Sequence, residues 1–176
     1  MKPEEAQLIE ACLKKDEKAY RRLYDLYARK MYGICRRYSR SDAAAEDALH
    51  DGFIAVFENL HKLRNVDSLD AWIRRTMVFA AINVYREDMH FVPMDESVDA
   101  ESVSGDDVLA SIDADIIVKA MQQLPDGFRT ALNLCEVEGY SVNDAATELG
   151  VKPSSLRASL ARGKHLLVEM LKKKKF

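Results

Sequence analysis

Cysteine, tryptophan and long apolar runs are scarce in this 176-residue chain, and each shortage excludes something. The three cysteines, Cys12, Cys35 and Cys135, are odd in number, far apart and set in apolar helical contexts, so neither a disulfide framework nor a Cys-x-x-Cys metal clip is supported. Nowhere do about 18 apolar residues run together, as a membrane-spanning helix would require. The first residues, MKPEEAQLIEACLKKDEKAY, carry charge throughout and lack the apolar centre of an export signal. A soluble protein of a reducing cytoplasm, with no membrane insertion, is the expectation. No stretch alternates apolar and polar residues long enough to make a strand, and no segment repeats another.

A strong net charge is missing too, with 26 Lys and Arg against 29 Asp and Glu. The balance hides segregation. From Glu87 to Asp115 there are ten carboxylates and no Lys or Arg, whereas from Gly150 to Phe176 eight Lys and Arg stand against Glu169 alone. With 48% hydrophobic and 31% charged residues, the chain has material for one ordinary domain or two small helical ones.

Two adjacent stretches organise the rest. In EDALHDGFIAVFENL, Leu49, Phe53, Val56, Phe57 and Leu60 recur at helical spacing, which leaves Asp47, His50, Asp51 and Ile54 to face a partner. In WIRRTMVFAAINVYR, Asp67 and Ser68 offer caps, Trp72 opens the helix, and Arg74, Arg75 and Arg86 meet no acid before Glu87. Phe79, Asn83 and Arg86 are four and three residues apart and are expected to share one face. An acidic docking helix beside a basic helix with exposed aromatics suits a chain that binds a large protein and a nucleic acid together.

Upstream, residues 4 to 14 read as a helix with Leu8, Ile9, Cys12 and Leu13 inward, and Asp16 caps the next. That one puts Leu23, Tyr27, Ile34 and Tyr38 on one stripe and Arg21, Arg22, Arg29, Lys30, Arg36 and Arg37 opposite, a solvated face or a secondary DNA-backbone contact. Downstream, the helix after Arg86 is expected to run on until Pro93 stops it. Residues 93 to 107 are rich in Ser and carboxylates with little to bury, so they read as a flexible acidic linker. Helical periodicity returns with Val108, Ile112, Ile116, Ala120 and Leu124. Pro125 opens the following helix, whose core face is marked by Phe128, Leu132 and Cys135, and Gly139 ends it. Ser141 and Asp144 resemble a capping box, Gly150 makes a tight turn and Pro153 starts the last helix. This is the spacing of a helix-turn-helix. After Leu156, Leu160, Leu167 and Leu171 turn inward, Lys152, Ser154, Ser155, Arg157, Ala158, Arg162 and Lys164 remain outside, the first of them towards base edges and the later bases towards phosphates.

The AEDALHDGF, W-I-R-R and INVYR runs resemble the second region of bacterial sigma factors of the extracytoplasmic-function type, and LPDGFR and VEGYSVNDAATELGV resemble that family's fourth region. The likeness covers roughly residues 5 to 90 and 108 to 172 in the family's order. It implies an all-α protein with a region 2 domain (1–92), the acidic linker (93–107) and a region 4 domain (108–176), with no active site and no cofactor. It further implies that Asp47, His50, Asp51 and Ile54 dock on the clamp coiled coil of the largest polymerase subunit. Trp72, Arg74, Arg75, Phe79, Asn83 and Arg86 would read and melt the minus-ten element of promoter DNA, and Lys152 to Lys164 the minus-thirty-five element. A cognate anti-sigma factor is a candidate further partner. His50 departs from the Gln of the family pattern, Phe79 from Asn, Ala158 and Ser159 from Ser and Arg or Gln, and Gly163 from Ala. The linker lacks room for the third domain of the larger sigma factors.

Other classes fit less well. A His-Asp phosphohydrolase needs a His upstream of His50, and there is none. Asp47 with His50 and Glu87 with His90 repeat the acid-x-x-His spacing of di-iron helical bundles, but that site needs two further inward carboxylates, and Glu87 to His90 lies at a helix end beside the linker. A helix-turn-helix regulator that never meets polymerase shares the C-terminal half and would differ in not binding the core enzyme.

Overall fold

The computed structural model describes residues 3–91 and 113–173. All regular elements among them are helical, and the chain divides into two units, Met1–Val84 and Tyr85–Phe176. The linker read over residues 93–107, and Val108 and Ile112 of the stripe that follows it, lie outside the described residues.

In the first unit, α1 (Pro3–Leu13) buries Leu8, Ile9 and Cys12. Leu13 does not join them; it is 49% exposed, because the helix ends there and Lys15 turns the chain through a left-handed φ of 63°. Asp16 then caps α2 (Glu17–Tyr38) as its spacing predicts, its carboxylate accepting from Lys18 N at 2.8 Å and Ala19 N at 3.3 Å. The basic face of α2 is partly neutralised within the unit, since Arg36 Nε reaches Asp42 Oδ1 at 2.8 Å and Lys30 Nζ reaches Asp70 Oδ1 at 2.5 Å. Ser41 Oγ accepts from Ala44 N and starts α3 (Asp42–Asn59).

Helix α4 (Leu69–Asn83) packs against both α2 and α3 around Leu23, Met31, Ile34, Val56, Leu60, Ile73 and Met77. A Cβ at Gly52 would run into the Met77 sulfur, so the glycine lets α3 and α4 approach closely. Both ends of α4 differ from the sequence reading. It starts three residues before Trp72, and Ser68 occupies the cap position without capping. The Ser68 Oγ donates to Asn65 O at 2.7 Å, while Asn65 Oδ1 accepts from Asp67 N in the 3-10 turn Val66–Ser68. The far end stops at Asn83, well short of Pro93. Tyr85 is buried beneath the Arg129 guanidinium, 5.5 Å from the ring centroid, and Asp88 N donates to Tyr85 O in a turn. Tertiary burial of Tyr85 therefore overrides a helical period that could have continued.

The second unit begins with that turn and resumes with α5 (Ala114–Gln122), whose Asp113 cap accepts from Asp115 N. Next comes α6 (Asp126–Leu132), with Pro125 at its cap position. It widens into a π-turn over Asn133–Val137 before Gly139 (φ 79°) closes it. Of the expected core face only Leu132 is fully buried; Phe128 and Cys135 are half-buried, and Arg129, Thr130, Ala131, Asn133 and Leu134 are inside. Helix α7 (Val142–Leu149) is capped by Ser141, whose Oγ accepts from Asp144 N at 3.1 Å and donates to Asp144 Oδ2 at 2.6 Å. The capping box is thus closed through the hydroxyl rather than through the Ser141 backbone. Gly150 adopts φ 70°, and α8 (Pro153–Lys173) follows. A Cβ at Gly163 would lie 3.2 Å from the Phe128 carbonyl, which marks where α8 crosses α6 most closely.

Burial also fixes the chemistry of the thiols. Cys35 is enclosed by the first unit's core, and burial pushes its pKa up to about 12; burial raises Cys12 and Cys135 as well. Only Cys135 is part-exposed. Native protein at pH 7.5 is therefore expected to give one slow thiol with a chromogenic disulfide reagent, at Cys135. Cys12 and Cys35 should appear only on unfolding; immediate reaction at Cys35 would contradict the packing described here.

Candidate docking and nucleic-acid interfaces

Three surfaces emerge. The first is the outer face of α3. The inward side is occupied by Leu49, Phe53 and Val56, with Phe53 and Phe57 locked against Tyr24 and Tyr20 at ring separations of 4.6 Å and 4.5 Å. A helix held so firmly on one side presents the other rigidly. Asp47, His50, Asp51 and Ile54 are all exposed there, and Ile54 keeps 55% of its surface in solvent although it is a large aliphatic residue. An apolar anchor ringed by acids is suited to a protein partner with basic and apolar residues. His50 Nδ1 lies 3.0 Å from Glu46 O one turn back, a contact that periodicity alone does not reveal.

The second surface lies along α4. Trp72 and Arg74 are half-buried, Arg75 is exposed, and the Arg75 guanidinium sits 5.0 Å from the centroid of the half-buried Phe79 ring. Asn83, exposed, lies a turn further on. Arg86, which the spacing put one turn beyond Asn83, is not part of the helix. It falls past the end of α4, in the second unit, where its Nη2 donates to Glu148 O at 3.3 Å. Of the expected set, α4 itself carries Arg75, Phe79 and Asn83, and Arg86 follows its end.

The third surface is the start of α8. Lys152, Arg157 and Lys164 are exposed, and Ser154, Ser155, Ala158 and Arg162 are half-buried. Ser159, at a departure from the family pattern, is fully buried and faces the core of the unit rather than a groove of DNA. Lys164 Nζ is paired with Glu136 Oε1 at 2.8 Å.

One residue with a large role escaped sequence analysis. Arg129 is 1% exposed, donates to Leu124 O at 2.8 Å and Gln122 O at 3.4 Å, and is bonded to the Asp126 carboxylate. It satisfies carbonyls at the end of α5 from the first turn of α6 and so sets the angle between the two helices. Its only signal in the sequence is the Asp-x-x-Arg spacing inside LPDGFR.

Among the described residues no three His, Cys, Asp or Glu side chains are grouped so that they could hold a metal ion, and no helix is long and apolar enough to cross a membrane. Two small helical units, one with an acidic exposed helix face beside a basic aromatic one and the other with a capped helix-turn-helix, are the features of a class of DNA-binding proteins.

The comparisons with known proteins narrow that class. Residues 23–90 match the model of Sigma-70 region 2, and residues 114–167 that of Sigma-70, region 4, together more than half of the chain. The chain is 27% identical to the RNA polymerase sigma-H factor of Pseudomonas aeruginosa, covering 96% of this chain and 94% of that one. It is also 27% identical to the extracytoplasmic-function sigma factor SigM of Mycobacterium tuberculosis, over 95% of this chain and 84% of that protein. Among solved structures, the sigma factor RpoE in complex with the anti-sigma factor NepR from Bartonella quintana superposes with a TM-score of 0.54 at 19% identity, covering 90% of this chain and 99% of that one. CnrH in complex with the cytosolic domain of CnrY gives 0.50 at 18%, covering 96% and 97%. The chain belongs to the RNA polymerase sigma factors, of the extracytoplasmic-function type. It is a transcription-initiation factor that acts with core RNA polymerase on promoter DNA.

Proposed function

We propose how the family's activity is distributed over this chain. The outer face of α3, with Asp47, His50, Asp51 and Ile54, docks on the clamp coiled coil of the largest polymerase subunit. The face of α4 that carries Trp72, Arg74, Arg75, Phe79 and Asn83 holds the minus-ten strand as it opens. The start of α8, from Lys152 to Lys164, reads the minus-thirty-five duplex. Residues 1–92 form the region 2 domain and 108–176 the region 4 domain, with residues 93–107 as their tether. The protein carries out no chemistry itself and works in the cytoplasm. An anti-sigma factor is proposed as a further partner, on the ground that both solved relatives were captured with a bound protein.

The observation that carries the proposal is the pairing of a rigid acidic face on α3 with the Arg75–Phe79 stack on α4, since the two helices pack directly against each other. Strand opening is thereby coupled to a polymerase-bound element. The Phe79 ring supplies a stacking plane that any unpaired base can use, and base–aromatic stacking contributes about 1–3 kcal/mol per base. Arg75, held over that ring, adds a cation for the neighbouring phosphate. Phe79→Ala is accordingly expected to assemble with core polymerase as the parent does, yet to reduce promoter opening by about tenfold or more. Permanganate reactivity of minus-ten thymines reads this directly. Equal reactivity in mutant and parent holoenzymes would remove Phe79 from the melting surface.

A further inference from the structure

The last residues of the region 2 match, which runs to residue 90, make contacts inside the second unit with residues of the region 4 match. Tyr85 is buried beneath the guanidinium of Arg129, itself 1% exposed, at 5.5 Å from charge to ring centroid. Arg86 Nη2 donates to Glu148 O at 3.3 Å, near the end of α7. His90 passes so close to α6 that a Cβ at Gly127 would overlap its carbonyl oxygen and lie 3.0 Å from the carbonyl carbon, with Phe91 Cδ1 3.6 Å away. Attached at Tyr85, Arg86 and His90, residues 85–91 form a strap across α6 and α7. The same residues have a second conformation within easy reach. Val84, between α4 and the strap, keeps helical angles (φ −55°, ψ −34°), and no proline interrupts the chain before Pro93, so a freed strap could extend α4 through Arg86.

We propose that residues 85–91 are an autoinhibitory strap: seated on α6 and α7, they keep the free chain from spanning a promoter, and their release is what lets it do so. The inference rests on the reading that α4 holds the minus-ten strand and α8 the minus-thirty-five duplex. By their names those elements are about 25 base pairs apart, or about 85 Å along the duplex at about 3.4 Å per pair. A helical unit of this size is roughly 30 Å across, so two units joined by one peptide bond reach over about 60 Å at most. While the strap is seated, one peptide bond is the whole tether, because Tyr85 belongs to the second unit and directly follows Val84, the last residue of the first. Release lengthens the tether to about 30 residues, up to the start of α5, and a chain of that length reaches up to roughly 100 Å. It also frees the Arg86 guanidinium, expected at the minus-ten strand, from the Glu148 carbonyl. Gly127 is the positioning residue of this device, since the side chain it lacks is what leaves room for His90.

The test compares the full-length parent with Gly127→Ala and Gly33→Ala. Alanine at position 127 suits a helix but removes the seat of the strap, whereas a Cβ at Gly33 of α2 meets nothing within 4 Å, so the latter variant controls for helix stabilisation alone. Small-angle scattering of the free chain is expected to give a radius of gyration larger by roughly a third in Gly127→Ala, because a tether of about 30 residues replaces one bond. Gly33→Ala should match the parent. Phe91→Ser, which alters the strap and leaves α6 intact, should expand the chain in the same direction, and it decides the matter if Gly127→Ala loses helicity. In holoenzyme, Gly127→Ala should form open promoter complexes about threefold faster or more, since a larger fraction of molecules is already competent. An unchanged radius of gyration refutes the strap, and expansion without faster opening refutes its inhibitory role. Footprints of the parent holoenzyme judge the underlying reading separately: protection of only one promoter element overturns the assignment of α4 and α8, whereas protection of both with an unexpanded Gly127→Ala overturns the strap alone.

Discussion

Replacing Asp47 and Asp51 by Lys together will abolish assembly with core RNA polymerase while helicity and thermal unfolding stay close to the parent's. Both side chains are exposed on α3, whose inner side supplies the core, so neither change touches packing within the first unit. At an interface the consequences are different. Each substitution removes an acceptor and places a like charge before a basic partner, and the two act on contiguous turns of one helix. A loss on the order of 3 kcal/mol, roughly a hundredfold in affinity, is the minimum expected. Gel-filtration co-elution at micromolar concentration reports the complex. If the double mutant still co-elutes stoichiometrically with core enzyme, α3 does not dock in the way proposed here.

The second large effect is on stability. Arg129→Met is expected to destabilise the second unit by about 3–5 kcal/mol, the range found when one partner of a buried ion pair is removed. Methionine fills much of the volume but removes the guanidinium that donates to the Asp126 carboxylate and to the carbonyls of Leu124 and Gln122. Asp126→Asn should cost less, because Arg129 retains both carbonyls. Amide hydrogen exchange in the full-length chain, read separately for α1–α4 and α5–α8, distinguishes a local effect from a global one. Protection of α5 to α8 in Arg129→Met equal to the parent's would mean that the buried pair contributes nothing net.

Much of this molecule was legible before any coordinates. The Asp16, Ser41 and Ser141 caps, the Gly150 turn and the outward set on α3 all follow from side-chain period and local hydrogen bonding, which are properties of a few neighbouring residues. The failures have a common physical origin in long-range packing. Arg86 reads as one turn beyond Asn83, and nothing nearby announces that burial of Tyr85 will end the helix first. Cys135 reads as core, but the π-turn that starts at Asn133 shifts the phase beyond Leu132, and the inside passes to Leu134. Nothing in the sequence announces the burial of Arg129, because arginines are usually exposed, and its burial is made tolerable by carbonyl and carboxylate acceptors that the fold brings to it.

The Glu136–Lys164 pair gives the second unit a counterion that is part of the protein. A lysine dressed with a mobile ion contributes to duplex affinity by releasing that ion when it meets a phosphate, and the gain in mixing entropy makes such binding salt-dependent. In the proposed duplex complex, Lys164 exchanges a tethered carboxylate for a phosphate, and nothing is set loose in solution. Its contact would orient α8 on the DNA while adding little to the salt-dependent part of the affinity, which falls instead to exposed cations such as Lys152 and Arg157 at the other end of the row.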